Sequence, residues 1–490
     1  MNHMMAKAKI YLTGTAAAVL AATSPASAET LRGALLEAYQ TNPTLNAARA
    51  GQRANDENVP ITLADGRPNV SVSGFYNENV RTSPNSFTAP SRTTGAQADA
   101  TLPIFQGGTV RNRIRAARDR VEAGQADLRS TEANLFTNVV AAYLDVISNR
   151  NIVELNANQV RVLDTNLQAT SDRFEIGDLT RTDVAQAEAR LSTARANLDS
   201  AEAELAAAEE NYLRLVGEWP EELEPPPPLP ELPATPDAAE DIAVLNNPDL
   251  IAAQHNADAA ERDIAAARGT RLPRLEAFAR GNYTNFLNTL GSPALPPEDN
   301  ARFFQEETTA TVGLRATLPI YQGGRPAAQV RQSQARLQQA EETVIATERA
   351  VVADVRAAFS RYRAALQVID ATGTAVEANE LALEGVRAEN SVGLRTILDI
   401  LNAEQELLNS QVDLVTARRN AYVAGFNLLA AMGQAEAQDL GLDGGVLYDP
   451  NVNYRRVDNQ WFDWNDDPRP VTQSTRTVDN PERGMTNPEN

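Results

Sequence analysis

Two short segments, ArgPheGluIleGlyAspLeuThrArgThrAsp at residues 173–183 and ValGlyLeuArgThrIleLeuAsp at 392–399, concentrate arginines, threonines and carboxylates around a glycine. Gly177 and Gly393 suit turns that need a positive φ, so each segment joins a long helix to a return helix, as a functional tip or as a plain connection. Covalent chemistry has less to work with. The chain has two histidines, His3 and His255, and no cysteine. His3 lies in a leader, so a His-based metal site and a Ser-His-Asp triad are excluded within one chain. His255, in AlaAlaGlnHisAsnAlaAspAla, reads as a solvated helix residue. The many carboxylates read as solubilising helix faces. No catalytic residue, metal or cofactor is expected.

A second pair of segments repeats more closely. ThrLeuProIlePheGlnGlyGly at 101–108 returns as ThrLeuProIleTyrGlnGlyGly at 317–324. Pro103 and Pro319 suit the end of a strand, where a lost backbone donor costs little, and Gly107–Gly108 and Gly323–Gly324 permit a sharp turn into a helix. Each copy is expected to swerve the chain from strand to rod.

The elements around these segments repeat too. Gly177 and Gly393, Asp183 and Asp399, and Glu188 and Glu404 all stand 216 residues apart, whereas Asn42–Pro43 and Asn247–Pro248 stand 205 apart. An 11-residue insertion between Pro273 and Thr317 accounts for the difference. A period this long marks a duplicated half rather than a solenoid. The expected plan is a signal peptide at 1–28, a first repeat at 29–219, a Pro-rich extended linker at 220–237, a second repeat at 238–433 and a tail at 434–490. The tail is expected to pack in part on the helices, with disorder beyond Pro468.

Within each repeat, residues alternate in character over two stretches. Val70, Val72 and Tyr76 interleave with Ser71, Ser73 and Asn77, and Ala96 to Ile104 alternate likewise; Leu275 to Tyr283 and Val312 to Ile320 follow suit. A period of two over about ten residues fits a strand that crosses a bilayer, although a pair of soluble hairpins stays open on pattern alone. From Gly108 to Asp172 there is no proline, which allows a helix of roughly 95 Å. Val184, Leu191, Leu198, Leu205 and Tyr212, and again Leu401, Leu408, Val415, Tyr422 and Leu429, recur every seventh residue, as in a coiled-coil seam.

Lys7 and Lys9 precede an apolar run that ends at AlaSerAla, which reads as a secretory signal peptide cut after Ala28. Cleavage removes every lysine and takes the net charge from −21 to −23, a balance that disfavours nucleic acid. No later run of about 18 apolar residues suggests a membrane helix. Four strands cannot close a barrel within one chain, and open edges are not tolerated in lipid. Two chains would supply eight strands and three would supply twelve.

The duplicated halves, the LeuProIlePheGlnGlyGly phrase and its tyrosine twin, and the segments at 173–189 and 391–407 together resemble the TolC family of outer-membrane efflux and secretion ducts. The resemblance covers nearly all of the mature chain to Gly433. It implies a mainly α fold with membrane β: a trimeric twelve-stranded barrel continuing into a periplasmic α-helical barrel. It implies partners as well: outer-membrane lipid, a periplasmic adaptor, and an inner-membrane RND or ABC transporter whose drugs, toxic solutes or proteins leave through the duct. By resemblance Arg395 matches an arginine that holds the periplasmic tip shut against Thr182 and Asp183, and Asp399 matches one of two rings of axial aspartates. Gly177, Leu179, Gly393 and Leu394 fall on the tip turns, where the adaptor docks. Asn402 stands where the second aspartate ring is expected, and Asn390 replaces a tyrosine that also holds the tip. The competing reading is a periplasmic coiled-coil scaffold without channel activity.

Overall fold

A computed structural model of the chain describes residues 29–81, 90–291, 296–442 and 447–479. The signal peptide, part of the 11-residue insertion and the last residues of the tail lie outside these.

The first repeat opens with α1 (Leu31–Thr41), α2 (Pro43–Asp56) and α3 (Asn58–Ala64), followed by β1 (Asn69–Glu78) and β2 (Arg92–Gln106). Two long helices, α4 (Thr109–Glu175) and α5 (Arg181–Val216), complete it. The second repeat runs α6 (Pro236–Asn246), α7 (Pro248–Gly269), β3 (Arg274–Asn285), the short α8 (Pro297–Asn300), β4 (Glu306–Thr317), α9 (Arg325–Ser391) and α10 (Ile397–Ala431). In the tail lies α11 (Pro450–Val457). The bounds of α4 and α9 coincide at the 216-residue offset, and each helix is 67 residues, or about 100 Å, long.

The duplication extends to its fastenings. Asn42 and Asn247 each cap the helix that follows with Oδ1, and each donates Nδ2 to the end of its own repeat's return helix, at Leu215 O (2.9 Å) and Ala431 O (3.0 Å). One side chain thereby satisfies the orphan donors of one helix and an orphan carbonyl of another. The repeats diverge where Pro60 sits in the first turn of α3. With no backbone donor there, the first repeat has two short helices where the second has the continuous α7.

The sheet order is β1-β2-β3-β4, antiparallel throughout. Its register sorts the side chains by chemistry. One face carries Val70, Val72 and Tyr76 of β1, Ala96, Ala98, Ala100 and Leu102 of β2, Ala277, Ala279 and Tyr283 of β3, and Val312 and Leu314 of β4. The other carries ion pairs from Asp99 to Arg280 (2.6 Å) and from Glu276 to Arg315 (3.0 Å). Val72 is 74% and Val312 83% exposed, so among the described residues nothing covers the apolar face. Among the described residues, β1 and β4 each have one unpaired edge.

The first swerve differs from the expectation. Pro103 lies within β2, beside a bulge that shifts the pairing with β3 between Pro103 and Phe105; the bulge tolerates a residue that cannot donate to the ladder. In the second copy β4 stops at Thr317, so Leu318, Pro319 and Ile320 lie outside the strand. The same phrase thus continues as strand beside β3 in β2, past the end of β1, and is irregular after β4.

At mid-length the rods gather their main core, where Phe136, Tyr143, Tyr212, Leu45, Leu250, Leu428 and Met432 are almost fully buried. Tyr143 Oη reaches the carbonyls of Glu29 (2.8 Å) and Glu224 (2.7 Å), tying the first described residue and the linker to α4. The linker is irregular as expected but fastened: Arg150 donates to Pro220 O, and Tyr422 Oη to Pro227 O. The heptad positions Leu191, Tyr212, Leu401, Leu408 and Leu429 are buried, while Val184, Leu198 and Val415 are partly so. His255 is not simply solvated, since its Nδ1 lies 3.2 Å from Glu122.

Candidate functional site

The two helical hairpins end in tips built alike. At the end of α4, Gly177 adopts φ 81°, its N–H bonds to Phe174 O (2.9 Å), and the Asp178 N–H bonds to Arg173 O (2.9 Å). At the end of α9, Gly393 adopts φ 78°, with bonds from Gly393 N to Asn390 O (2.9 Å) and from Leu394 N to Glu389 O (3.0 Å). Both are Schellman endings, in which a left-handed residue lets the chain turn back on the last carbonyls. Three residues beyond each glycine stands an N-cap threonine, Thr180 or Thr396, closed by a capping box with Asp183 or Asp399.

This arrangement gives the two aspartates a structural task that residue type alone does not disclose. Asp183 Oδ2 accepts from Thr180 N (2.8 Å) and Thr180 Oγ1 (2.7 Å), and Asp399 Oδ2 accepts from Thr396 N (2.9 Å) and Thr396 Oγ1 (2.7 Å). These bonds to the charged form hold both carboxyls below the usual aspartate range. The Thr-x-x-Asp spacing at both helix starts is the sequence signal for it.

Arg395 lies against its own hairpin. Its Nε bonds to Glu389 Oε2 (2.8 Å), its Nη1 is 3.9 Å from Asp399 Oδ1, and Asn390 Nδ2 donates to its carbonyl (2.8 Å). Among the described residues, no hydrogen bond or ion pair joins Arg395 to Thr182 or Asp183 within the chain. Arg173 and Asp178 pair across the first tip (2.6 Å). Leu394 is 76% exposed, and Ile176 and Val392 are exposed too, while Leu179 is partly covered.

Just behind the tips the hairpins clasp each other through Glu404 and Asn402, which the sequence marked without this role, and through Arg387, Asn166 and Arg190, which it did not single out. Glu404 of α10, almost fully buried, takes Nη2 of Arg387 from α9 (3.0 Å) and Nδ2 of Asn166 from α4 (3.2 Å). Arg190 of α5 donates to Asn402 Oδ1 of α10 (2.8 Å), so Asn402 is engaged by the neighbouring hairpin. Leu163, Leu191, Ala194 and Leu401 pack beside this network. A buried charge needs a partner on each side, and the two partners of Glu404 come from different hairpins.

At the other end of α4, Gly107 and Gly108 have φ of 62° and 78°, and Gly323 and Gly324 have φ of 62° and 80°. Gly107 is constrained twice, because a Cβ there would overlap the Gly269 carbonyl oxygen. About 100 Å of helix separates these turns from the tips. Among the described residues no helix is long and apolar enough to cross a membrane, and no group of His, Asp or Glu could hold a metal ion.

A four-stranded sheet with one bare apolar face, carried on two rods whose far ends form matching turns, defines a protomer of an outer-membrane channel. Residues 34–218 and 241–434 match the outer membrane efflux protein family, and the chain belongs to it. It is 36% identical to the outer membrane efflux protein BepC of Brucella suis over 455 residues, covering 93% of this chain and 95% of that one. Identity to the outer membrane protein TolC of Escherichia coli is 27% over 478 residues, covering 92% and 94%. The alkaline protease secretion protein AprF of Pseudomonas aeruginosa is 27% identical over 337 residues, covering 67% of this chain and 68% of that one. Among solved structures, the CmeC outer membrane channel of Campylobacter jejuni superposes with a TM-score of 0.72 at 16% identity, covering 87% of this chain and 89% of that one. The protein is an outer-membrane channel-tunnel. Channels of this family form trimers and work with efflux or secretion pumps. The scaffold reading does not stand beside this membership.

Proposed function

We propose that three copies of this chain form the exit duct of a tripartite efflux pump or a type I secretion system. On this reading β4 of one protomer pairs with β1 of the next to close twelve strands, and a periplasmic adaptor opens the far end for an inner-membrane RND or ABC transporter. The observation that carries the reading is the pairing of a membrane sheet with two unpaired edges and two matched hairpin tips about 100 Å away. Efflux and protein secretion share this architecture, since the duct is generic and the pump selects the cargo.

The gate proposed here rests on the family resemblance, with the exposure of Arg395 in support. Arg395, held by Glu389 and Asp399, is exposed enough to exchange partners, and in the closed trimer it bonds to Thr182 and Asp183 of an adjoining hairpin. Asp399 keeps Oδ1 free of the capping box, so three copies present carboxylate oxygens near the axis and favour cations. Gly177, Leu179, Gly393 and Leu394 form the adaptor contact, and the exposed Ile176, Val392 and Leu394 supply its apolar part. Exposed ion pairs contribute about 0–1 kcal/mol each. Three of them bias a two-state tip only slightly, and an adaptor with modest differential affinity reverses the balance. Planar-bilayer recording tests the reading: the purified trimer should conduct weakly, and Arg395→Ser should conduct more. Stable monomers without channel activity would overturn the duct, whereas an unchanged conductance in Arg395→Ser would overturn only the gate.

A further inference from the structure

The tail contains Trp461, Phe462 and Trp464, which neither the duct nor the gate uses. Their place is fixed by contacts on both sides. Tyr454 of α11 packs against the cluster of Val59, Ala117 and Val121, and Arg118 pairs with Asp458 (3.5 Å), so the tail runs along the first turns of α4 towards the sheet. Arg67 then donates to the carbonyl of Gln460 and lies over the Trp461 ring, 4.4 Å from its centroid. Arg67 is two residues ahead of Asn69, the first residue of β1. The aromatic segment is therefore tied to the base of the membrane sheet, at the end nearer the rods.

At that level Phe462 is 85% and Trp464 95% exposed. Next to Arg67, Gly66 lines a cavity between the end of β2 and the start of α4, together with the half-exposed Ile104 and Phe105 and with Arg111, Arg115 and Arg118. Bare aromatic rings beside membrane-spanning strands match the chemistry of the headgroup zone, which favours an apolar ring with a polar edge. We propose that Trp461, Phe462 and Trp464 form an interfacial anchor seated in the periplasmic leaflet of the outer membrane, its occupant being phospholipid. Asp463 lies between Phe462 and Trp464, Asp466 follows the rings, and Asp467 is paired with Arg456 (2.7 Å). The contact consequently works through ring partitioning rather than attraction to anionic headgroups, and it pins α11 and the tail at a fixed depth. The proposal rests on the sheet being the membrane-spanning element, which channel conductance checks separately.

The chain has three tryptophans, Trp219, Trp461 and Trp464, so fluorescence can isolate the segment. Full-length Trp219→Phe trimer, shown to conduct, is placed in phosphatidylcholine vesicles whose acyl chains are brominated near the headgroup. Its emission should fall to about half or less of that in unbrominated vesicles, with little further quenching by iodide. The double variant Trp461→Phe/Trp464→Phe retains only Trp219, beside Pro220 and hence near Arg150, about 60 Å along α4 from its start; its emission should be untouched by brominated lipid. Quenching of the tail by iodide and not by lipid would place the rings in water. Protection from both would place them against a neighbouring protomer. Either result overturns the anchor, as would equal lipid quenching of Trp219.

Discussion

Asp399 has two tasks on its two oxygens, one for the capping box and one towards Arg395, and substitutions can separate them. Asp399→Asn keeps an oxygen for the Thr396 N–H and hydroxyl and removes the charge. It should weaken cation selectivity in bilayer recordings while leaving the start of α10 as protected from hydrogen exchange as in the parent. Asp399→Ala removes the cap as well, so the first turn of α10 should exchange faster. If both variants exchange alike, the capping box does not hold the tip. The swerve glycines separate in the same way. Gly323→Val meets only an unfavourable φ, whereas Gly107→Val also collides with the Gly269 carbonyl. Trimer yield should fall further for Gly107→Val, and equal yields would show that packing at Gly107 is not limiting.

Among the helices, the seating of the tail depends on pH through Glu132 of α4. Burial raises this carboxyl to about 7, opposed by the Ala437 N–H that it accepts (2.7 Å) and by Arg49 and Arg129, and assisted by Glu436. A carboxyl whose pKa is raised on docking favours the docked state below its free value near 4.5, and loses that contribution as pH rises through about 7. The difference corresponds to about 3 kcal/mol. Residues 434–442 should accordingly be cleaved faster by protease at pH 8 than at pH 5 in the parent and at equal rates in Glu132→Gln, compared with a reference substrate of the protease. The linker has a simpler test. Tyr143→Phe removes the single hydroxyl proton that the Glu29 and Glu224 carbonyls share, at a cost of about 1–3 kcal/mol, and should expose the linker to proteolysis without altering conductance.

For the assembled duct, closure is the governing condition. The exposed edges of β1 and β4 have their hydrogen-bonding groups in a membrane, where each unpaired group costs several kcal/mol, so folding of the sheet and assembly of the trimer should be one event. Replacing Val312 with Asp puts a charge on the lipid-facing side of β4 and should prevent trimer formation in bilayers while the helical hairpins, measured by circular dichroism, persist. Retention of a stable trimer would mean that this face is not the lipid-facing one.

The long rods, the four strands and the tip turns were legible in the sequence because each has a local cause: a periodicity or a glycine. The duplication, offset by 205 residues ahead of the insertion and by 216 beyond it, made every one of them visible twice, and the longer offset survives in the coincident bounds of α4 and α9. Other features came from contacts distant in the chain. Pro103 was read as the end of a strand, but β3 alongside carries β2 on to Gln106 around a bulge. Glu404 looked like one more solvated carboxylate until Arg387 and Asn166 closed over it from two other helices. The aromatic tail carries no periodic signal, and its position at the base of the sheet depends on Arg67 and Arg118, more than three hundred residues earlier. Periodicity and turn chemistry act within a few residues and can be read in order. Which side chains meet across the rods depends on how whole helices pack, and that is settled only when the tertiary structure forms.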